Sequence, residues 1–159
     1  MAHNKQIILI LFFATLFGFI RFIFLSDSDF TLIKQEKTIE KITSFTIPQT
    51  MDSPMSINID FAKYLFDEKK AIFIDAREES DYKSGHIKDA INIPYDYYED
   101  YEELINSLDI ANVYILYCNG TECSLSMDLA ELLFNEMLFE KILIFEGGWP
   151  EWRDAEYPS

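Results

Sequence analysis

The sequence predicts an α/β domain built on a largely parallel β-sheet that is covered by helices on both faces. Three short apolar runs, residues 71–75, 112–118 and 141–145, are typical of buried strands. Segments with helical character separate these runs, and strands that alternate with helices form parallel sheets. The chain has 159 residues, 49% of them apolar, which is enough for one sizeable core.

The helices are identified by apolar spacing and by their end signals. Asp60 is the predicted N-cap of a first helix with apolar positions at Phe61, Tyr64, Leu65 and Phe66. The acidic, tyrosine-rich segment 95–108 also has helical character. We interpret it as a solvated helix face, and a docking surface for a basic partner is the alternative. Residues 125–138 form an apolar helix, and Gly147 and Gly148 stop the last strand.

The amino-terminal part of the chain differs from the rest. After a short tail (residues 1–6), residues 7–25 contain one charge, Arg21, and are long enough to span a bilayer. We therefore expect a single-pass transmembrane anchor, with a cleaved signal peptide as the alternative. Lysines on both sides leave its orientation open. The polar segment 26–55 is typical of a linker, so the folded domain is predicted to span residues 56–159.

Composition excludes several classes of function. The net charge of −15 argues against nucleic acid as a partner, because phosphate binding needs clustered Lys and Arg. Two cysteines and two histidines do not form a credible four-ligand zinc site. The sequence suggests no metal and no organic cofactor, and it does not determine the oligomeric state.

The stretch 116–126, LYCNGTECSLS, places Cys118 at the end of a predicted parallel strand. Such strand ends form the usual binding crevice of α/β sheets. A helix that begins near Ser124 points its amides and its positive dipole end at the loop, which stabilises a thiolate. Gly120 permits the required turn. We therefore expect an ionised, accessible thiol at Cys118; a buried small hydrophobe is the alternative.

Two further stretches accompany this loop. Residues 74–96 contain Asp-x-Arg, then Gly-His-Ile, Ala and Asn-Ile-Pro, and residues 146–159 read EGGWPEWRDAEYPS. Together with CNGTEC at 118–123, they resemble the motifs of rhodanese-homology domains, in the same order, across roughly residues 56–159. The resemblance implies a rhodanese-like α/β domain with a five-stranded, mainly parallel sheet.

The resemblance also implies sulfur transfer. Cys118 would be the catalytic nucleophile that accepts a sulfane sulfur from a small-molecule or protein donor and passes it, as a persulfide, to a thiol acceptor. The persulfide anion would be bound by backbone amides of the loop. These are the amides of Asn119, Gly120, Thr121, Glu122, Cys123 and Ser124. Two alternatives stay open: a non-catalytic binding module, and a dithiol redox protein in which Cys123 is the resolving thiol.

The loop departs from related chemistries. A phosphatase or arsenate reductase on this scaffold needs an arginine six positions after the cysteine, and Ser124 stands there. The loop has no Lys or Arg and contains Glu122, so we expect thiosulfate, a dianion, to be a poor donor.

Three polar residues of the second stretch are predicted to be structural. Asp75 and Arg77 are expected to form an ion pair at a strand end, or hydrogen bonds that hold the loop around His86. His86 is expected to donate a hydrogen bond and not to act as a base, because persulfide transfer needs little proton movement.

Overall fold

A five-stranded parallel sheet organises the part of the chain that the structure describes, residues 46–121 and 123–159 of a computed structural model. The predicted tail, the predicted transmembrane segment and residues 26–45 of the predicted linker lie outside the described residues. Among the described residues, no helix has the length and apolar character needed to cross a bilayer.

Strands and helices alternate along the described chain. In order, they are β1 (Met55–Ile57), α1 (Ile59–Asp67), β2 (Ile72–Asp75), α2 (Glu79–Ser84), β3 (Ile91–Asn92), a 3₁₀ helix (Tyr95–Tyr101), α3 (Glu102–Ser107), β4 (Val113–Tyr117), α4 (Leu125–Asn135), β5 (Lys141–Phe145) and α5 (Gly148–Asp154). The sheet order is β1-β5-β4-β2-β3, and every neighbouring pair is parallel. The predicted five-stranded, mainly parallel sheet is thereby confirmed.

The sheet has a core on each face because successive strand side chains point to opposite sides. One face carries Tyr117 and Phe145, which pack with Trp152 of α5. The other face carries Leu116 and Ile144, which pack with residues of α4. Helices therefore cover both faces, and the strands are buried along nearly their whole length, as expected for a parallel sheet.

Two residues that precede β1 also pack against the core. Ile47 and Met51 lie against the core face that contains Trp152. Both residues belong to the segment that the sequence marks as linker, and their apolar side chains account for this contact.

The first helix begins earlier than the sequence indicates. Asn58 is the N-cap, since its Oδ1 accepts a hydrogen bond of 3.0 Å from the Phe61 amide. The prediction of Asp60 as the cap is wrong. Asp60 lies in the first turn, where its charge is still favourable beside the helix amino terminus.

Two other boundaries also change. The helix predicted over 125–138 ends at Asn135, and Leu138 adopts a positive φ of 59°, which breaks the helix and leaves its side chain exposed. The segment 95–108 is a 3₁₀ helix followed by α3. Its rings at Tyr95, Tyr98 and Tyr101 pack against the α4 side of the core, whereas Tyr97 is 53% exposed.

We expect Asn58→Ala to lower the free energy of unfolding by about 1 kcal/mol, because the Phe61 amide loses its acceptor. Asp60→Ala is the control. It should cost less than about 0.5 kcal/mol, since the higher helix propensity of alanine offsets the lost dipole interaction. Urea unfolding of both variants measures the difference. An equal or larger loss for Asp60→Ala would contradict the assignment of the cap.

Candidate active site

Cys118 follows β4 directly, between the neighbouring strands β2 and β5, and its loop leads into α4. It is joined to Cys123 by a disulfide bond, with the two Cα atoms 6.3 Å apart. Cys118 is only 1% exposed, whereas Cys123 is half-buried. The expected strand-end position is therefore observed, but the expected accessibility is wrong in this disulfide state, because Cys118 lies within the packed end of the sheet.

The backbone of Cys118 is held by the turn after β5. The Trp149 amide donates a hydrogen bond of 2.8 Å to the Cys118 carbonyl oxygen. Gly148 has a φ of 59°, and a Cβ atom there would overlap this carbonyl and lie 2.7 Å from the Gly120 nitrogen. Glycine is thus required at position 148 for both conformation and space. The sequence marked Gly147 and Gly148 as a strand stop but missed this contact.

The loop after Cys118 closes on itself. The Cys123 amide donates to the Gly120 carbonyl at 2.9 Å, and Gly120 has a φ of 101°. This amide belonged to the cradle expected around Cys118, but its hydrogen bond lies within the loop. Asn119 is exposed, and its Nδ2 lies 3.4 Å from Asp81 Oδ2. Thr121 is exposed, and Glu122 lies outside the described residues.

Ser126 is a site residue that the sequence analysis missed. Its Oγ is 3.3 Å from Cys118 Sγ, and the serine is 4% exposed. A disulfide sulfur carries no hydrogen, so the serine hydroxyl is the donor. The same hydroxyl can stabilise a Cys118 thiolate when the disulfide is open. The available signal was a serine in the first turn of the predicted helix, two residues after Ser124, whose side chain makes no capping hydrogen bond.

A cavity of about 160 Å³ lies beside the disulfide. Its lining includes Cys123, Ser126, Glu146 and the apolar side chains of Met127 and Ile144, but not Cys118. Glu146 comes directly after β5, at the same edge of the sheet as the residue after β4, because Tyr117 and Phe145 are in register. Of the two cysteines, Cys123 is the one that faces this cavity.

Asp75 and Arg77 form a buried ion pair at the end of β2. The distances are 2.9 Å from Arg77 Nε to Asp75 Oδ1 and 2.6 Å from Nη2 to Oδ2. Burial disfavours the charged guanidinium, but the hydrogen bonds and charge of Asp75 outweigh it, so the pKa of Arg77 is raised. Nη2 also donates to the Gly85 carbonyl at 2.7 Å. The pair therefore connects the β2 end to the residue before His86.

His86 lies beside Tyr82. Its Nδ1 is 2.8 Å from the Tyr82 carbonyl oxygen, which requires the proton on Nδ1, and its ring stacks on the Tyr82 ring at 3.8 Å. Tyr117, the residue before Cys118, accepts a hydrogen bond of 3.1 Å from the Ile87 amide. Burial, with the nearby Asp75 carboxylate, raises the pKa of Tyr117 far above its ordinary value, so this hydroxyl stays protonated.

Comparison with known proteins agrees with this geometry. A family model described as a rhodanese-like domain matches residues 59–155. The chain belongs to the rhodanese-like domain family. No curated protein matches the chain.

Solved structures show the same rhodanese-like fold. A protein from Bacillus halodurans is 26% identical, with a TM-score of 0.55, and the match covers 63% of this chain and 72% of that one. A rhodanese-like domain from Anabaena is 23% identical, with a TM-score of 0.53, covering 68% and 78%. A thiosulfate sulfurtransferase from Pseudomonas aeruginosa is 18% identical, with a TM-score of 0.51, covering 66% of this chain and 19% of that one. At these identities, the last two show the fold alone.

Within residues 46–121 and 123–159, no group of three or more His, Cys, Asp or Glu side chains is placed to hold a metal ion. The polar atoms beside Cys118 Sγ in this rhodanese-like site include the Ser126 hydroxyl and the Cys123 carbonyl oxygen, each at 3.3 Å. The hydroxyl can donate a hydrogen bond to a sulfur anion, and α4, which begins at Leu125, adds the positive end of its dipole.

We expect Gly148→Ala to lower the free energy of unfolding by about 2 to 4 kcal/mol, because the new Cβ meets backbone atoms and the positive φ strains alanine. Gly147→Ala is the matched control. Gly147 has an ordinary φ of −65°, and the new Cβ would meet the exposed Glu151 side chain, including its Cβ at 2.9 Å, so the control should cost about 1 kcal/mol, less than Gly148→Ala. Thermal unfolding compares the two, and equal losses would contradict the close approach at Gly148.

Proposed function

We propose that this rhodanese-like protein is a sulfurtransferase that carries sulfane sulfur as a persulfide on Cys118. The observation that carries the proposal is the position of this sulfur, at the end of a central parallel strand, ahead of α4 and 3.3 Å from the Ser126 hydroxyl. The catalytic form is the reduced protein, in which the Cys118 thiolate attacks the donor's sulfane sulfur. The donor's remaining fragment leaves with the bonding electrons.

The persulfide then passes its outer sulfur to an acceptor thiolate, which regenerates Cys118. The Ser126 hydroxyl and the positive end of the α4 dipole stabilise the Cys118 thiolate between turnovers. The backbone amides of Asn119, Gly120, Thr121 and Ser124 are further candidate donors for the outer sulfur, whereas the Cys123 amide is bonded to the Gly120 carbonyl oxygen. Asp75, Arg77 and His86 keep the neighbouring loop in place and take no part in the transfer.

The donor in this proposal is a neutral or singly charged persulfide, carried by a small thiol or by a protein. Thiosulfate is disfavoured because the loop has no cationic side chain and Glu146 adds a carboxylate to the cavity. Phosphoryl and arsenate chemistry are disfavoured too, since no arginine follows Cys118 at the sixth position.

A second candidate function is thiol–disulfide exchange, and the Cys118–Cys123 disulfide is the observation that favours it. A dithiol redox protein would pass electrons between partners and would carry no sulfur atom. The third reading, a non-catalytic binding module, requires neither cysteine to react.

The proposal includes the expected membrane anchor at residues 7–25, which would hold the domain beside a membrane. Sulfur donor and acceptor would then be reached at that surface. Nucleic acid is not a partner in this proposal, because the chain is strongly acidic.

The test is intact-mass analysis of the reduced full chain after exposure to a polysulfide and to a thiol persulfide. Cys123→Ser is the working background, because Cys118 cannot close a disulfide in it. We expect an adduct of about 32 mass units, one sulfur atom, that cyanide or excess thiol removes. The adduct should be absent from the Cys118→Ser/Cys123→Ser double variant. If no donor produces it, sulfur transfer is wrong, and reversible disulfide formation in the wild-type chain would then favour the redox candidate.

We also expect Glu146→Gln to raise kcat/KM for thiosulfate by about three- to tenfold, because one negative charge is removed from the cavity beside the disulfide. A neutral donor should be little affected. Glu140→Gln removes the same charge at the opposite edge of the sheet, before β5, and should leave both donors unchanged. Equal effects of the two variants would indicate overall charge and not the cavity.

A further inference from the structure

The two cysteines of the disulfide differ in what they face. Cys118 is 1% exposed and does not line the 160 Å³ cavity. Cys123 is half-buried and does line it, together with Ser126 and Glu146. A molecule that enters this cavity therefore meets the disulfide from the Cys123 side.

This asymmetry decides which sulfur an external thiol can attack. A thiolate attacks one sulfur of a disulfide along the S–S axis, and the other sulfur leaves as a thiolate. Approach to Cys118 from behind is blocked, because Tyr117 and Ser126 around it are buried and Gly148 packs on its backbone. Approach through the cavity reaches Cys123. The leaving group is then Cys118, whose sulfur accepts the Ser126 hydrogen bond at 3.3 Å.

We propose that Cys123 is a second catalytic residue, which closes the Cys118 site after sulfur loading when no acceptor thiol takes the outer sulfur, and is the point at which a small thiol reopens it. This inference rests on the proposed function. In the closing step, the Cys123 thiolate attacks Sγ of the protonated Cys118 persulfide. The bond between the two cysteine sulfurs forms, the bond to the outer sulfur breaks, and the outer sulfur leaves with the electron pair as hydrosulfide.

The closing step balances without an external oxidant. The sulfane sulfur is reduced to sulfide, and the two cysteine sulfurs are oxidised to the disulfide. The separation of 6.3 Å between the Cα atoms is within the range of ordinary disulfides, so the loop brings the two sulfurs together in the fold as it stands.

Reopening consumes two equivalents of a small thiol. The first attacks Cys123 Sγ, forms a mixed disulfide there and releases Cys118 as a thiolate. The second attacks the small thiol's sulfur in that mixed disulfide, which frees Cys123 and leaves the small thiol as its own disulfide. The cavity's size and the Glu146 carboxylate favour a slender thiol without excess negative charge.

The first experiment measures which sulfur is attacked. The oxidised full chain is mixed with 2-mercaptoethanol, quenched within seconds by acid, alkylated with N-ethylmaleimide in denaturant so that the buried Cys118 is accessible, and analysed by peptide mass mapping. We expect 2-mercaptoethanol on Cys123 and maleimide on Cys118, with a preference of at least about tenfold over the reverse pattern. Equal labelling, or a preference for the mixed disulfide at Cys118, would overturn the assignment of Cys123 as the entry point.

The second experiment measures the closing step. The reduced full chain is loaded with a thiol persulfide, freed of excess donor, and followed for released sulfide and for mass. We expect the wild type to release about one equivalent of sulfide as its disulfide forms, while Cys123→Ser keeps the adduct of about 32 mass units.

The outcomes separate the two proposals. If Cys123→Ser keeps its adduct and the wild type also keeps it, with no disulfide formed, the role of Cys123 is wrong and sulfur transfer stands. If neither chain acquires the adduct, the proposed function fails, and the closing step fails with it.

Discussion

The position of Cys118 is set by its backbone, through the hydrogen bond of 2.8 Å from the Trp149 amide to its carbonyl oxygen. This bond joins the loop after β4 to the turn after β5, and the absence of a side chain at Gly148 lets the two segments touch. Neighbouring parallel strands end at the same edge, but the strands alone do not fix the loops that follow them. The contact at Gly148 therefore turns a strand end into a defined site.

An ion pair stabilises the loop after β2, at the same edge of the sheet. Asp75 and Arg77 are both nearly inaccessible to solvent. The buried pair is tolerated because the guanidinium donates hydrogen bonds to the Asp75 carboxylate and to the Gly85 carbonyl oxygen. The guanidinium also lies over the Trp149 ring, with its Cζ atom 5.5 Å from the ring centre. The ion pair thus reaches the same turn that holds Cys118. The loops after β2, β4 and β5 form one packed unit.

This rigidity has a chemical consequence for the two sulfurs. A cysteine held at a buried strand end is protected from solvent and from over-oxidation, but it is also hard for a bulky partner to reach. Cys123 lies on the more accessible loop and lines the cavity, so it has the access that Cys118 lacks. Ser126 lies next to both, with its hydroxyl directed at Cys118 Sγ. In our proposal, one cysteine carries the sulfur and the other controls access to it.

The sequence by itself determined the fold class and the order of the site stretches. Strands β2, β4 and β5 are apolar runs of four or five residues and could be recognised locally, whereas β1 and β3 have three and two residues and no readable period. The N-cap was misplaced because Asn58 and Asp60 are both good capping residues, and only backbone geometry distinguishes them. The strand-end position of Cys118 followed from the pattern alone.

Only the tertiary structure decided how that cysteine is surrounded. The burial of Cys118, the cavity beside Cys123 and the direction of the Ser126 hydroxyl depend on contacts between α4, β5 and the turn at Gly148. Some of these contacts join segments that are distant from one another in the chain. Others depend on side-chain directions that are set by packing. A local pattern in the sequence records which residue types are present, and it cannot record which of them meet across the edge of a sheet.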